Sequence, residues 1–393
     1  MNEHQLALPV ARNLEHRQAL KCIYLYKSAT PHRYRFGLGV RLVVAALLSM
    51  LLISSASLAA GAGQVDPGTT EGVIIDTDFG LPPFDDSFAV ALVLNSSKAR
   101  VLGISTVAGN QALDVENVEL QVFVERMDRL EIPLYSGAQL PLNIETHPSA
   151  TSLRERFQVG RAAFRAQSDG RAKFQSESAA SFIARSVVAA PHQITILALG
   201  PLTNIAMALR QDPRVATLVK KIVIMGGYFP ADSGVDLHTA PIPNAEFNFW
   251  IDPDAARIVI DSGAAIEISP IDVSKTVPFT EAMRHQLASG RGPFSAMVKD
   301  FMPQTDTDKN GVAGYTYFYD GLAAAGIVAP EVRTTAKYYV DIDSNPGVDY
   351  GASVRHSVEK GPIPGGHASG TVDVQTKIDI QAFYKLVTDR LAK

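Results

Sequence analysis

The sequence predicts an α/β fold, built as a single doubly wound, mostly parallel sheet flanked by helices. Two observations carry this. Short apolar runs of strand length alternate with helix-length segments from about residue 70 to the C-terminus. Polar residues also collect just after the apolar runs, at the predicted C-terminal ends of strands, where open α/β sheets bind their ligands. Of the 393 residues, 46% are hydrophobic and 19% charged, which excludes a disordered or fibrous chain and leaves material for a large core.

In chain order, residues 73–75 form a buried-strand run that Gly80, Pro82 and Pro83 break into a loop. Residues 88–94 read as a helix and 101–107 as a strand. Asp114 is expected to cap the next helix, where Val115, Val118, Val122 and Phe123 recur at helical spacing. Residues 194–199 (strand), a Gly200-Pro201 turn and 203–210 (helix) repeat the unit. A strand at 221–225, a helix at 254–260 behind Asp252 and Pro253, and a strand at 265–269 follow. Residues 371–379 alternate as a strand before a closing helix. Two stretches, 143–176 and 228–244, look irregular and long enough to be functional loops.

The N-terminus reads differently. Residues 1–60 form an extension ending in a secretory signal. Arg41 precedes an apolar stretch, residues 42–53, and small residues up to Ala59 and Ala60 supply a cleavage site. The stretch is short for a membrane span, so an uncleaved anchor is the alternative. Cleavage would leave a catalytic-sized domain, 70–393, exported to the periplasm or beyond and free of the membrane. Residues 1–62 hold seven Lys and Arg against two Asp and Glu, so the remainder carries a net charge of −9. An acidic chain without a basic stripe is a poor partner for nucleic acid. The only cysteine, Cys22, lies in the discarded part, which removes disulfides and thiol chemistry from the mature protein.

The most informative residues are Asp76, Asp78, Asp85 and Asp86. The first pair ends a predicted strand and the second opens the next helix. A helix cap accounts for Asp85 or Asp86, but not for Asp76 and Asp78. Carboxylates this dense repel one another unless a cation neutralises them, and hard cations such as Ca²⁺ or Mg²⁺ take carboxylate oxygens. Other polar residues stand at later strand ends. These are Asn110, the turn from Gly200 to Asn204, Asn244, Glu246 and Asn248, and Tyr319 with Asp320. Each alone reads as turn or cap chemistry.

Taken in order, Asp76-Thr77-Asp78, Gly80, Asp85-Asp86, Gly200-Pro201-Leu202-Thr203-Asn204, Met225-Gly226-Gly227 and Ala245-Glu246-Phe247-Asn248 give the chain its resemblance. It resembles the inosine-uridine-preferring nucleoside hydrolase family over about residues 72–390. The resemblance implies a Rossmann-like core and Ca²⁺-dependent hydrolysis of the N-glycosidic bond of ribonucleosides, giving ribose and free base. It implies Asp78, Asp86, Asp320 and the Leu199 carbonyl as metal ligands. Asp78 would also activate water, and Asp76 would support the site from behind. Asp85, Asn110, Asn244, Glu246 and Asn248 would hold the ribose. A homo-oligomer, dimer or tetramer, is also implied. The chemistry agrees: glycoside cleavage passes through an oxocarbenium-like state that nearby carboxylates stabilise.

Two departures stand out. Four residues, Leu81 to Phe84, separate Gly80 from the Asp pair where the family usually has one. Tyr319 stands where family members often have a histidine that protonates the leaving base, and a tyrosine is a weaker acid at neutral pH. Tyr319 is the proposed donor in its place, with His147 and His238 as loop substitutes. Tyr315, Tyr317 and Phe318 beside it could stack on a base or pack as core. Trp250 is expected in the core. Two rival functions remain at the level of sequence. A haloacid-dehalogenase-type phosphatase would use Asp76 and Asp78, but would leave the later motifs without a purpose. An exported nucleoside-binding protein would not need ligands that activate water.

Overall fold

The computed structural model describes residues 70–158, 166–229, 244–302, 312–368 and 370–393. The predicted signal, Cys22 and His238 lie outside the described residues, as does the side chain of Tyr315. The strands are β1 (Glu71–Thr77), β2 (Ala99–Thr106), β3 (Leu134–Ser136), β4 (Ile194–Ala198), β5 (Lys221–Met225), β6 (Ile266–Ser269), β7 (Pro278–Thr280), β8 (Val312–Tyr317), β9 (Arg333–Ile342), β10 (Ser353–Ser357) and β11 (Thr371–Ile378). Nine form one sheet in the order β10-β9-β11-β6-β5-β4-β1-β2-β3, while β7 and β8 pair separately. The strands from β3 to β6 run parallel, β11 is parallel to β6, and β9 is antiparallel to both β11 and β10.

β1 shows why this chain makes a doubly wound sheet. Val73 and Ile75 pack into one apolar cluster and Ile74 into another, on the opposite face, and all three are fully buried. A strand covered on both faces reads as a continuous apolar run. Each such side chain contributes roughly 1.5–3 kcal/mol by leaving water. The chain winds outward from β1 to β2 and β3, then crosses to the other side of β1 and winds through β4, β5 and β6. The winding therefore reverses between β1 and β4. At such a reversal the connections after the two strands diverge and leave a crevice at their C-terminal ends. Asp76, Asp78 and Leu199 sit there.

The predicted elements match the structure closely at the central strands, and less so beyond them. The helix after β2 is Leu113–Arg126, with Ala112 at the N-cap position, so Asp114 lies inside the first turn rather than capping it. Residues 143–176 are not simply irregular, because Ala150–Gln158 is helical. Its Leu153 and Phe157, one turn apart, are buried against Trp250, Ile251 and Tyr350. The arginines between them hide the apolar pair from a sequence reading. Among the described residues no helix is long and apolar enough to cross a membrane.

Two helices bring the halves of the site together. One, Asp86–Leu94, follows β1, and the other, Tyr319–Val328, follows β8. They are joined by an aromatic cluster in which Phe88 meets Phe279, Phe294 and Phe318 edge-on, at 5.1–5.8 Å between centroids. Phe88 lies two residues past Asp86, and Phe318 two before Asp320. Truncating Phe88 to alanine is expected to cost about 3–5 kcal/mol and to loosen the approach of the two acids. Thermal or chemical denaturation checks the first effect, and cation titration of the folded variant checks the second.

Candidate active site

The site begins with the residues that end β1. Asp76 is buried under it, where its carboxylate accepts from Ser105 Oγ and, at 2.8 Å, from Asn204 Nδ2. Burial raises its pKa to about 6, against the pull of those two bonds. Asn204 also donates to Thr106 O at 2.8 Å and accepts from Ala138 N at 2.8 Å, so the Gly200–Asn204 turn ties the ends of three strands. Asp78 comes next. Its Oδ2 accepts from Asn110 N at 2.8 Å, and its carbonyl from Asn110 Nδ2 at 3.2 Å. Gly109 and Gly200 press against it from two sides. A Cβ on Gly109 would lie 2.3 Å from Asp78 Oδ2, and one on Gly200 2.8 Å from Asp78 N, so neither position admits a side chain. Burial, assisted by the charges of Asp85 and Glu246, raises the Asp78 pKa to about 7.

Asp85 and Asp86 reach the same crevice despite the insertion before them. Leu81 is fully buried and its N–H donates to Glu119 Oε2 at 2.8 Å, and Phe84 N closes a turn onto Leu81 O at 3.1 Å. Asp86 accepts from Thr77 Oγ1 and, at 3.1 Å, from Asn110 Nδ2. Asp85 does not cap its own helix. Its Oδ2 instead accepts from Asp320 N at 2.8 Å, capping the helix that follows β8. Carboxylate oxygens of Asp85, Asp86 and Asp320 all lie within 4.8 Å of one another. Burial raises all three pKa values, that of Asp85 to about 6, and neighbouring acids raise those of Asp86 and Asp320 further. The charge of Asp78 acts on both Asp86 and Asp320. An all-oxygen donor set of this charge suits a hard divalent cation. Leu199 O accepts from Asn248 Nδ2 at 2.8 Å and retains a second lone pair.

Glu246 and Asn248 close the far wall. Glu246 caps the short helix Phe247–Ile251, accepting from Asn248 N, Phe249 N and Gly227 N at 2.8, 3.1 and 3.2 Å. The backbone amides of Asn248, Phe249, Gly227 and Phe247 all act on this carboxylate and hold it in place. Burial raises Glu246 to about 7. Asn248 Nδ2 also reaches Met225 O at 3.2 Å, joining the ends of β4 and β5. Asn244 is exposed and donates to Asp349 Oδ1 at 3.1 Å. Tyr319 is half-buried, 5.8 Å from the Tyr317 ring. Burial and the charges of Asp85, Tyr317 and Glu246 push its pKa upward. It therefore stays protonated at neutral pH. His147 is occupied elsewhere: its Nε2 lies 3.0 Å from Trp250 O, and its Nδ1 accepts from Ser149 N at 3.0 Å. Its ring packs edge-on against buried Trp250 and Tyr350.

Sequence reasoning missed Glu116. It is fully buried, and its Oε1 accepts from Gly109 N at 3.2 Å and Gln111 N at 3.0 Å, the amides on either side of Asn110. It thereby fixes the residue that touches both Asp78 and Asp86. A signal was present: Glu116 and Glu119 lie three apart among Val115, Leu120 and Phe123, on the apolar face of their helix.

The site is a buried cluster of acids at the switch point of a doubly wound α/β sheet, a setting that suits a cation-assisted reaction. The family is given by comparison. Residues 73–385 match the inosine-uridine preferring nucleoside hydrolase family. A probable uridine nucleosidase 2 of Oryza sativa subsp. japonica is 31% identical over 295 residues, spanning 74% of this chain and 84% of that protein. Uridine nucleosidase 1 of Arabidopsis thaliana is 31% identical over 280 residues, 70% of this chain and 80% of that one. Among solved structures, a plant nucleoside hydrolase superposes with a TM-score of 0.69 at 26% identity, covering 82% of this chain and 99% of its own. The chain belongs to the inosine-uridine preferring nucleoside hydrolase family and is a hydrolase of N-glycosyl bonds.

The raised carboxyl pKa values set a pH dependence. A carboxyl that holds its proton more tightly when folded stabilises the fold fully below the unfolded pKa of about 4. That contribution is lost as pH rises through the folded values, about 6 for Asp85 and about 7 for Asp78. In the presence of a chelator, the melting temperature is expected to fall between pH 4.5 and 7.5. A divalent cation should reverse most of the fall, because it replaces the lost protons. A cation effect that is equal at both pH values would contradict this account.

Proposed function

We propose that the protein hydrolyses ribonucleosides to ribose and free base with Ca²⁺ bound among Asp78, Asp86, Asp320 and the Leu199 carbonyl. The observation that carries this reading is the convergence of Asp85, Asp86 and Asp320 within 4.8 Å, with Asp78 acting on two of them. The donors are all oxygen, and their accumulated charge fits a hard cation better than a soft one. Bound there, Ca²⁺ supplies charge neutralisation and Lewis acidity toward water and a ribose diol. Asp85 lies close enough to the other acids to share in holding the cation as well as the sugar.

The residues of the chain supply the rest. Asp78, buried at the end of β1 and fixed by the Asn110 amide, is assigned to take a proton from the attacking water. Asp85 and Glu246 face the sugar with negative charge, which favours the positive charge developing at the anomeric carbon. Asn110, Glu246 and Asn248 are fixed by backbone bonds, so they meet the ribose hydroxyls without first becoming ordered. A site built this way discriminates strongly against sugars that lack those hydroxyls. Asn244 is assigned to the rim. Tyr319 is placed to donate a hydrogen bond toward the base. Uridine is the first substrate to test, since relatives named uridine nucleosidase and pyrimidine-specific ribonucleoside hydrolase match over 70% or more of this chain. Export on the signal in residues 1–60, leaving a catalytic domain over 70–393, completes the reading, together with assembly into a dimer or tetramer.

Purified protein is expected to release ribose from uridine in the presence of Ca²⁺ and to stop when a chelator is added. Replacing Asp78 with asparagine should lower kcat by at least about a hundredfold, with the fold intact by circular dichroism. Ribose release that ignores the chelator would remove the metal from the mechanism. Calcium-dependent uridine binding without any ribose release would mark a binding protein instead.

A further inference from the structure

The acids of the site grip one half of a nucleoside, and the other half must lie at the mouth of the crevice. The anomeric carbon joins the two halves, so a sugar held against the acids directs its base outward. The helix Ala150–Gln158 brings a guanidinium to that mouth. Arg156 Nη2 donates to Asn110 O at 2.6 Å. The side chain of the same Asn110 turns the other way, to Asp86 Oδ2 and Asp78 O. Asn110 therefore separates the acids from the arginine, with one on each side. The guanidinium carbon lies 5.3 Å from the centre of the Phe247 ring, and Phe247 directly follows Glu246. The charges of Asp78 and Glu116 also act on Arg156. It is held by an acceptor and an aromatic face, and it remains exposed at the rim. Arg156 uses one of its five N–H donors on Asn110 O, and the rim exposes the group to a ligand.

We propose that Arg156 is the residue that stabilises the leaving base, by charge and hydrogen bonding rather than by giving up a proton. The inference rests on the nucleoside-hydrolase reading. When the C1′–N bond breaks, its electron pair moves onto the base and spreads to its carbonyl oxygens. The oxygen of water forms the new C1′–O bond, and the proton it loses passes to Asp78. The base anion is then protonated from solvent, and Asp78 returns its proton there. A guanidinium stays charged at any working pH, so it cannot act as the acid. It can pair with a carbonyl oxygen that gains negative charge as the bond breaks. This answers the problem posed by Tyr319, whose raised pKa suits it poorly to proton transfer.

The test compares two leaving groups. Uridine departs as a poor anion, whereas p-nitrophenyl β-D-ribofuranoside releases a phenolate whose ring carries the charge unaided. Arg156→Ala and Arg156→Lys would be assayed on both substrates, beside the wild type, with Ca²⁺ present and with melting temperatures recorded. The expected result for Arg156→Ala is a fall in kcat on uridine of about a hundredfold, with the nitrophenyl riboside changed by less than a few-fold. Arg156→Lys, which keeps the charge but loses the fork, should fall between the two. An equal loss on both substrates would make Arg156 a prop for Asn110 and overturn the proposal. Unchanged activity on uridine would also overturn it. Wild-type protein that cleaves the nitrophenyl riboside but not uridine would contradict it as well, whereas cleavage of neither substrate would defeat the underlying hydrolase reading.

Discussion

Asp85, Asp86 and Asp320 hold oxygens within 4.8 Å of one another in a buried crevice, and Asp78 adds its charge to theirs. Like charges this close cannot all ionise without protons or a cation between them. Much of the surrounding structure is arranged to make the crowding tolerable. Backbone amides and hydroxyls point at the carboxylates: Asn110 N at Asp78, Thr77 Oγ1 at Asp86 and Asp320 N at Asp85. Two helices start at the site, at Asp86 and at Tyr319, and their N-terminal dipoles favour negative charge. Glycines at 109 and 200 let the backbone come against Asp78.

A second layer of acids organises the first. Asp76, Glu116 and Glu246 are buried and spend their oxygens mainly on backbone amides, amide side chains and hydroxyls. Each fixes a loop that carries a residue of the crevice: the Gly200–Asn204 turn, Asn110, and Asn248. Rigidity of this kind matters for a reaction whose barrier is lowered by charges already in place before the bond breaks. The aromatic cluster around Phe88 and Phe318 performs the same service for the two helices.

How much of this could be read from the sequence depended on the range of the interaction. The fold was legible because β1, β4, β5 and β6 are largely buried on both faces and keep apolar runs between turn residues. The acids of β1 and its helix were legible because they are close in the chain. The Leu81–Phe84 insertion left them in register, since Glu119 anchors it. What escaped were pairings across long separations. Nothing local to Asp85 says that it caps the helix at Asp320, nor that Asn248 reaches the Leu199 carbonyl. The helix at 150–158 was masked by its arginines, and Arg156 with it. The strand order β9-β11-β6 was beyond periodicity altogether, because β11 inserts between strands that precede it in the chain.

The bond from Asp320 N to Asp85 spans 235 residues. Bringing such distant segments together is slow and is rewarded only when the intervening structure has formed. The carboxylate trio is thus completed only once segments 235 residues apart have met. Before that point Asp85 and Asp86 have no third partner, and the growing chain has no complete nest in which to trap a divalent ion. A divalent cation that took oxygens from all three carboxylates would therefore bind only chains in which these two segments have met.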